Sequence, residues 1–214
     1  MRSVRVLFSK KGDIKYISHL DLNRFMLKII RMSKIPVWYS EGFNPHPYIT
    51  FALPLSLGFE SDYEIMDVRL DDDSFTNEQV LSSLKPLFPK GLELFSCKDP
   101  VMKAGQVAFA DYKIEFDLLD ANYMKGLNNL LESDAIISKK KTKKGTYKDI
   151  DLKEYIKAFS INGNTLLLTL AAGGSNNLNP KLIIDAFEER SGLKTPYYKV
   201  TRTMLYNENM NEFK

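Results

Sequence analysis

Cysteine and histidine are almost absent from this chain of 214 residues: Cys97 is the single thiol, and His19 and His46 are the two imidazoles. One cysteine excludes an intrachain disulfide, a cysteine-ligated zinc site and an iron–sulfur cluster held by this chain alone. Two histidines leave few metal ligands, and nothing in the sequence asks for a metal or another cofactor. No apolar run approaches the ~20 residues that a bilayer span needs. The first residues, Met1-Arg2-Ser3-Val4-Arg5-Val6, read as a strand and lack the apolar core of a signal peptide. The expectation is a cytoplasmic protein with no membrane contact.

What is present describes an ordinary globular chain, 44% hydrophobic and 27% charged. The length suits one large domain or two of about a hundred residues each, and either buries enough apolar surface to fold without staples. A net charge of +3 conceals a strong asymmetry: residues 1–40 hold nine Lys/Arg against two acids, and residues 41–80 hold one Arg against nine acids. Such separated blocks suit a protein with one basic face.

Val4, Val6 and Phe8 alternate with Arg5, Leu7 and Ser9, the period of a half-buried strand. Ser18 is a good helix N-cap with Asp21 as its capping-box partner, and the segment it opens runs to Ser33 before Pro36 stops it. Residues 37–39 and 49–53 are short strand candidates, residues 64–70 alternate again, residues 76–88 read as a helix, and residues 92–96 as a strand. A connection over residues 98–105, with Pro100 and Gly105, precedes a second series. This has a strand over 108–118, a helix over 122–131, a strand over 135–141, a tight turn at Ile161-Asn162-Gly163-Asn164 before a strand over 166–171, a helix over 180–191 with Asn179 as N-cap, and a strand over 198–206. Each series follows roughly the order strand, helix, two strands, helix, strand, with the short candidate at 37–39 as an extra in the first. The expected class is therefore α+β, with tandem ferredoxin-like halves over residues 1–100 and 106–214 built on antiparallel sheets.

Arg24, Lys28 and Arg31 share one face of the first helix, opposite Leu22, Phe25, Met26, Ile29 and Ile30. Such a stripe serves either as the solvated side of an amphipathic helix or as a ridge that tracks phosphates. A second basic cluster, Lys139, Lys140, Lys141, Lys143, Lys144 and Lys148, contains no acid, and it is either a solubilising hairpin tip or a nucleic-acid arm without sequence preference. Between Ser40 and Pro47, two prolines and Gly42 fix an irregular backbone around His46, with Trp38, Tyr39, Phe43, Tyr48 and Phe51 nearby. These aromatics either pack the loop or stack on unpaired bases.

His19 and His46 are the two groups able to move protons near neutral pH, and a histidine pair with lysines nearby is one arrangement for metal-independent RNA cleavage. No nucleophile or spacing motif accompanies them. Gly173, Gly174 and Ser175 lie between a strand and a helix, a setting either for phosphate binding or for a permissive turn, without P-loop spacing. Arg202 shares a strand face with Tyr198, Val200, Met204 and Tyr206, an odd place for a charge unless it meets a ligand or a partner such as Glu64 or Asp67.

Four stretches, Tyr16-Ile17-Ser18-His19-Leu20-Asp21-Leu22, Ser40-Glu41-Gly42-Phe43-Asn44-Pro45-His46-Pro47, Phe51-Ala52-Leu53-Pro54-Leu55 and Glu64-Ile65-Met66-Asp67, resemble the radical-SAM-linked protein family. This is a bacterial domain of unknown function, found alone or fused behind cobalamin-binding-type radical SAM modules. Gly173-Gly174-Ser175 with Asn179-Pro180, and Arg202, resemble its later signature, although Asn179 stands where the family has arginine. The resemblance implies a separately encoded radical SAM partner, and the family's gene neighbourhoods suggest RNA metabolism, including RNA modification. The leading expectation is a non-catalytic accessory protein that binds RNA through Arg24, Lys28, Arg31, the lysine cluster, Phe43, His46 and Arg202. The alternatives are an endoribonuclease using His19 and His46, and an adaptor that binds protein alone.

Overall fold

The structure, a computed structural model, describes residues 1–117, 121–141, 147–174 and 176–214. The chain forms β1 (Arg2–Lys10), α1 (His19–Ser33), β2 (Ile49–Phe51), β3 (Glu60–Leu70), α2 (Asn77–Leu84) and β4 (Leu92–Lys98). It continues as β5 (Phe109–Phe116), α3 (Ala121–Glu132), β6 (Ile137–Lys141), β7 (Tyr147–Asp151), β8 (Ile156–Asn162), β9 (Thr165–Ala171), α4 (Lys181–Ser191) and β10 (Tyr198–Tyr206).

Local chemistry accounts for these boundaries. Ser18 Oγ accepts the Asp21 N–H at 3.1 Å and so caps α1, and the helix ends at Lys34, whose φ of 59° is left-handed, two residues before Pro36. Thr76 and Gln79 form a reciprocal capping box on α2. That helix stops at Leu84, short of the expected Phe88, because Pro86 enforces a tighter turn over residues 85–87. Gly163, at φ 56°, makes the turn between β8 and β9. Asn179 Oδ1 accepts the Lys181 N–H at 2.9 Å, so the cap of α4 comes from the residue before Pro180.

The sheet is mixed and mostly antiparallel, in the order β4-β1-β3-β10-β5-β9-β8, with β2 also paired to β3. Among the described residues one pairing is parallel: β10 meets β3 through Thr201 opposite Glu60 and Arg202 opposite Ser61. On the same edge of β3, β2 occupies Met66 to Val68. This short parallel seam makes one sheet from what are otherwise two four-stranded groups.

Each group carries a helical layer. Val4, Val6 and Phe8 of β1 and Met66, Val68 and Leu70 of β3 pack under Leu22, Met26, Ile29 and Ile30 of α1 and Val80 and Leu84 of α2. Alternate residues of β5 and β9 pack under Leu127, Leu130 and Leu131 of α3 and Ile183, Ile184 and Phe187 of α4. Gly126 lets α3 and α4 close up, since a Cβ there would sit 3.2 Å from the Phe187 ring. The connection between β2 and β3 belongs to both groups, because Leu53, Leu55 and Phe59 bury in the second core.

Three further expectations change. Residues 37–39 form no strand: Val37 bridges to Leu70 and Tyr39 to Pro47 only, because Pro36 and Pro47 supply no N–H to a ladder. The second group gains a hairpin, β6–β7, whose second strand was not foreseen. Finally, β1 is not half-buried: Arg5, Leu7 and Ser9 are as enclosed as the core-facing side. The C-terminal segment crosses that face, with Phe213 fully buried and the Tyr63 hydroxyl donating to its carbonyl at 3.0 Å.

Candidate nucleic-acid interface

Burial of one side of α1 leaves Arg24, Lys28 and Arg31 exposed together on the other. Arg24 meets Asp21 at 3.3 Å, whereas Lys28 and Arg31 have no carboxylate partner among the described residues. The ridge read from the spacing therefore exists as a solvent-facing row of cations.

The loop between Tyr39 and Pro47 is held by its own polar groups. Ser40 N–H donates to the His46 carbonyl at 2.9 Å, and Ser40 Oγ accepts the His46 N–H at 3.2 Å. His46 Nδ1 lies 3.1 Å from the Asn44 carbonyl and 3.1 Å from Ser40 Oγ. A carbonyl only accepts, so Nδ1 carries the proton in that contact and Nε2 of the neutral ring is left as an acceptor. At the tip, Phe43 is 106% exposed relative to the extended chain. At the base, Trp38 and Tyr48 pack edge to face, and the Arg69 guanidinium lies 5.0 Å from one ring and 5.4 Å from the other.

His19 is placed elsewhere. Its ring packs edge to face on Phe51, 5.0 Å between centroids, and burial pushes its pKa down. No hydrogen bond or ring contact among the described residues joins His19 to His46.

Arg202 leaves the solvent-facing set. It is 1% exposed, with Nη2 bound to Glu64 and to the Leu53 carbonyl at 2.9 Å and Nη1 to the Pro54 carbonyl at 3.3 Å. A guanidinium committed in this way is unavailable to a strand of RNA. Of the two acids weighed as its partner, Glu64 is the one it meets, while Asp67 pairs with Arg5. Lys10 is buried beside the pair and donates to the Ile17 carbonyl at 3.0 Å; burial lowers its pKa, opposed by Glu64.

The glycine loop is closed on itself as far as it is described: the Gly173 N–H donates to the Asn176 carbonyl at 2.8 Å, and Ala172 bridges Asn177. With Asn179 capping α4, those amides do not point to an open anion site. Ser175 lies outside the described residues. In the lysine cluster, Lys139 is exposed and paired in register with Asp149. Lys143 and Lys144, and the side chains of Lys140, Lys141 and Lys148, lie outside what is described.

One feature of the open sheet face escaped the sequence reading. A cleft of about 390 Å³ is lined by Ser3, Tyr48, Thr50, Asp67, Arg69 and Lys103, among others. Strand register puts these residues together, since Ser3 lies opposite Arg69, and Arg5 and Thr50 both lie opposite Asp67. Their signal was the alternation Asp67-Val68-Arg69, which placed two charges on one side of β3. No group of His, Cys, Asp or Glu among the described residues is arranged to hold a metal ion, and no described helix is long and apolar enough to cross a membrane.

Residues 3–180 match a family described as "Uncharacterized protein conserved in bacteria (DUF2344)". No curated protein matches the chain. A solved structure titled "Crystal Structure of a Cbf5-Nop10-Gar1 Complex" is similar at 11% identity and a TM-score of 0.47, over 95% of this chain and 50% of the other. The chain thus spans about half the length of that matched chain.

Proposed function

The chain belongs to this uncharacterized bacterial family, and on that premise we propose that it is a non-catalytic protein that binds single-stranded RNA and presents it to a separate radical SAM enzyme. The observation that carries the RNA reading is Phe43, a whole aromatic side chain in water on a loop pinned by Ser40 and His46. Leaving such a ring exposed forgoes about 1.5–3 kcal/mol of burial. A rigid ring is a ready platform for an unpaired base, and base–aromatic stacking is worth about 1–3 kcal/mol.

Arg24, Lys28 and Arg31 supply the complementary attraction for phosphates. The radical SAM partner rests on the motif resemblance around Ser18-His19 and Pro45-His46-Pro47. We further read the two groups of strands as ferredoxin-like units in tandem, supported by the orders β4-β1-β3-β2 and β10-β5-β9-β8.

Fluorescence anisotropy of a labelled single-stranded RNA over a salt series tests the reading. Binding should weaken with a log–log slope near −2, about −0.7 for each of three phosphates. Absence of binding at low salt overturns it, and shortening of the RNA by the purified chain would replace it with the endoribonuclease.

A further inference from the structure

The cleft on the open face of the sheet brings together groups that the RNA-binding reading has not used. The Arg69 guanidinium has no carboxylate or hydrogen-bond partner among the described residues, and it is steadied by the Trp38 and Tyr48 rings. Lys103 is exposed and lines the same cleft. Asp67 lines it as well, its carboxylate oriented by Arg5 through two hydrogen bonds of 2.7 Å. Each of its oxygens keeps a second lone pair, and the side chain retains 16% exposure. Ser3 and Thr50 add hydroxyls. The cleft therefore offers two free cations, a fixed acceptor, small donors and an aromatic wall in one space of about 390 Å³, the size of a small-ligand site.

A nucleotide carries the complementary set: an anionic phosphate, a flat aromatic base and N–H donors on its edge. We infer that this cleft receives one unpaired nucleotide, with the base against Tyr48, its edge N–H groups donating to Asp67, and its phosphate at Arg69 and Lys103. The inference deepens the RNA-binding reading and rests on it for the source of the nucleotide. Adenine, cytosine and guanine have an exocyclic amine to give Asp67, whereas uracil has only its N3–H, flanked by two carbonyl oxygens that the carboxylate repels, so uridine nucleotides bind weakest.

Trp38 is the single tryptophan of the chain and its ring lies 5.0 Å from the Arg69 guanidinium, so its emission reports on the site. The full chain is titrated with AMP, CMP, GMP, UMP, inorganic phosphate and a mixed-sequence single-stranded RNA. The proteins are wild type, Arg69→Ala, Lys103→Ala and the cleft-filling Thr50→Tyr, each checked by thermal melting. Thr50 and Lys103 are exposed, so at least those two variants keep the fold.

The expected result is quenching by the amine-bearing nucleotides, with affinity for them and for the RNA lowered about tenfold or more in each variant, a loss comparable with removal of one stacked base. RNA binding that survives unchanged in all three variants overturns the cleft and leaves the RNA reading intact. Mononucleotide binding that the variants abolish, with no RNA bound by wild type, keeps the cleft as a free-nucleotide site and removes the RNA reading. Phosphate competing as well as AMP overturns base recognition, and no response to any ligand ends both.

Discussion

Arg5 of β1 and Asp67 of β3 face each other in register and join through Nε–Oδ1 and Nη2–Oδ2 hydrogen bonds, each 2.7 Å long, while Arg5 Nη2 also donates to the Met102 carbonyl. The guanidinium lies 4.7 Å from the Phe213 ring centre, so one arginine ties the two strands, the 99–104 connection and the C-terminal segment together. Removal of one member leaves a buried charge without its partner. Asp67→Leu should lower stability by about 3 kcal/mol, and adding Arg5→Met should restore most of it, because a well-packed apolar pair often equals a buried ion pair. Urea midpoints of the two variants check this; an unrecovered double mutant refutes it.

Charge reversal on α1 separates binding from folding. Arg24→Glu with Arg31→Glu should abolish single-stranded RNA binding and shift the melting temperature little, since both side chains are exposed. Anisotropy and melting on the same preparation test it, and equal affinity in the double variant removes α1 from the interface.

The loop variants test stacking. Phe43→Ala should weaken single-stranded RNA binding by about 1–3 kcal/mol, with a smaller effect on duplex RNA. His46→Ala should weaken it in the same direction by loosening the Ser40 and Asn44 contacts. Stability should fall little in either. A lower melting temperature with normal affinity would make the loop structural.

Acid should destabilise the fold through His19. Burial holds its pKa below 6.5 in the folded state, so as pH falls through 6.5 the unfolded chain takes up the proton first. Stability is greatest above that pH and is lost as pH falls from 6.5 towards the folded value. Comparing wild type with His19→Asn at pH 7.5 and 5.5 by urea unfolding should show the smaller pH dependence in the variant. Equal dependence would mean that the imidazole takes up its proton alike in the folded and unfolded chain, and would refute the burial effect.

Local chemistry was legible where it is self-contained. Ser18 with Asp21, Asn179 before Pro180, and Gly163 at its turn all act within three residues, and the alternation of Ala110, Tyr112, Ile114 and Phe116 marks a buried face directly. Contacts made across the chain were not. Alternation put Arg5 on a solvent side of β1, because nothing near Arg5 announces that Phe213 will cover it. The cleft was missed for the same reason: Ser3, Thr50, Asp67 and Lys103 meet only through strand register and a distant connection. Glu64 was one of two acids within the sequence's reach for Arg202, but the leading expectation gave that arginine to RNA; its pairing with Glu64 and its enclosure by the Leu53 and Pro54 carbonyls are long-range contacts that no neighbouring residue announces.

The seam where β10 joins β3 imposes an order in time. Glu64 and Arg202 are separated by 138 residues, and translation at about 5–20 residues per second puts on the order of ten seconds between their appearances. Throughout that interval β3 has the Glu60–Ser61 part of its edge unclaimed and a carboxylate with no guanidinium to meet it. A nascent chain in that condition is exposed to pairing with a neighbouring chain emerging from the same message. The hazard ends only when β10 arrives and covers the seam, and until then a charged Glu64 beside the waiting edge is a deterrent to premature pairing.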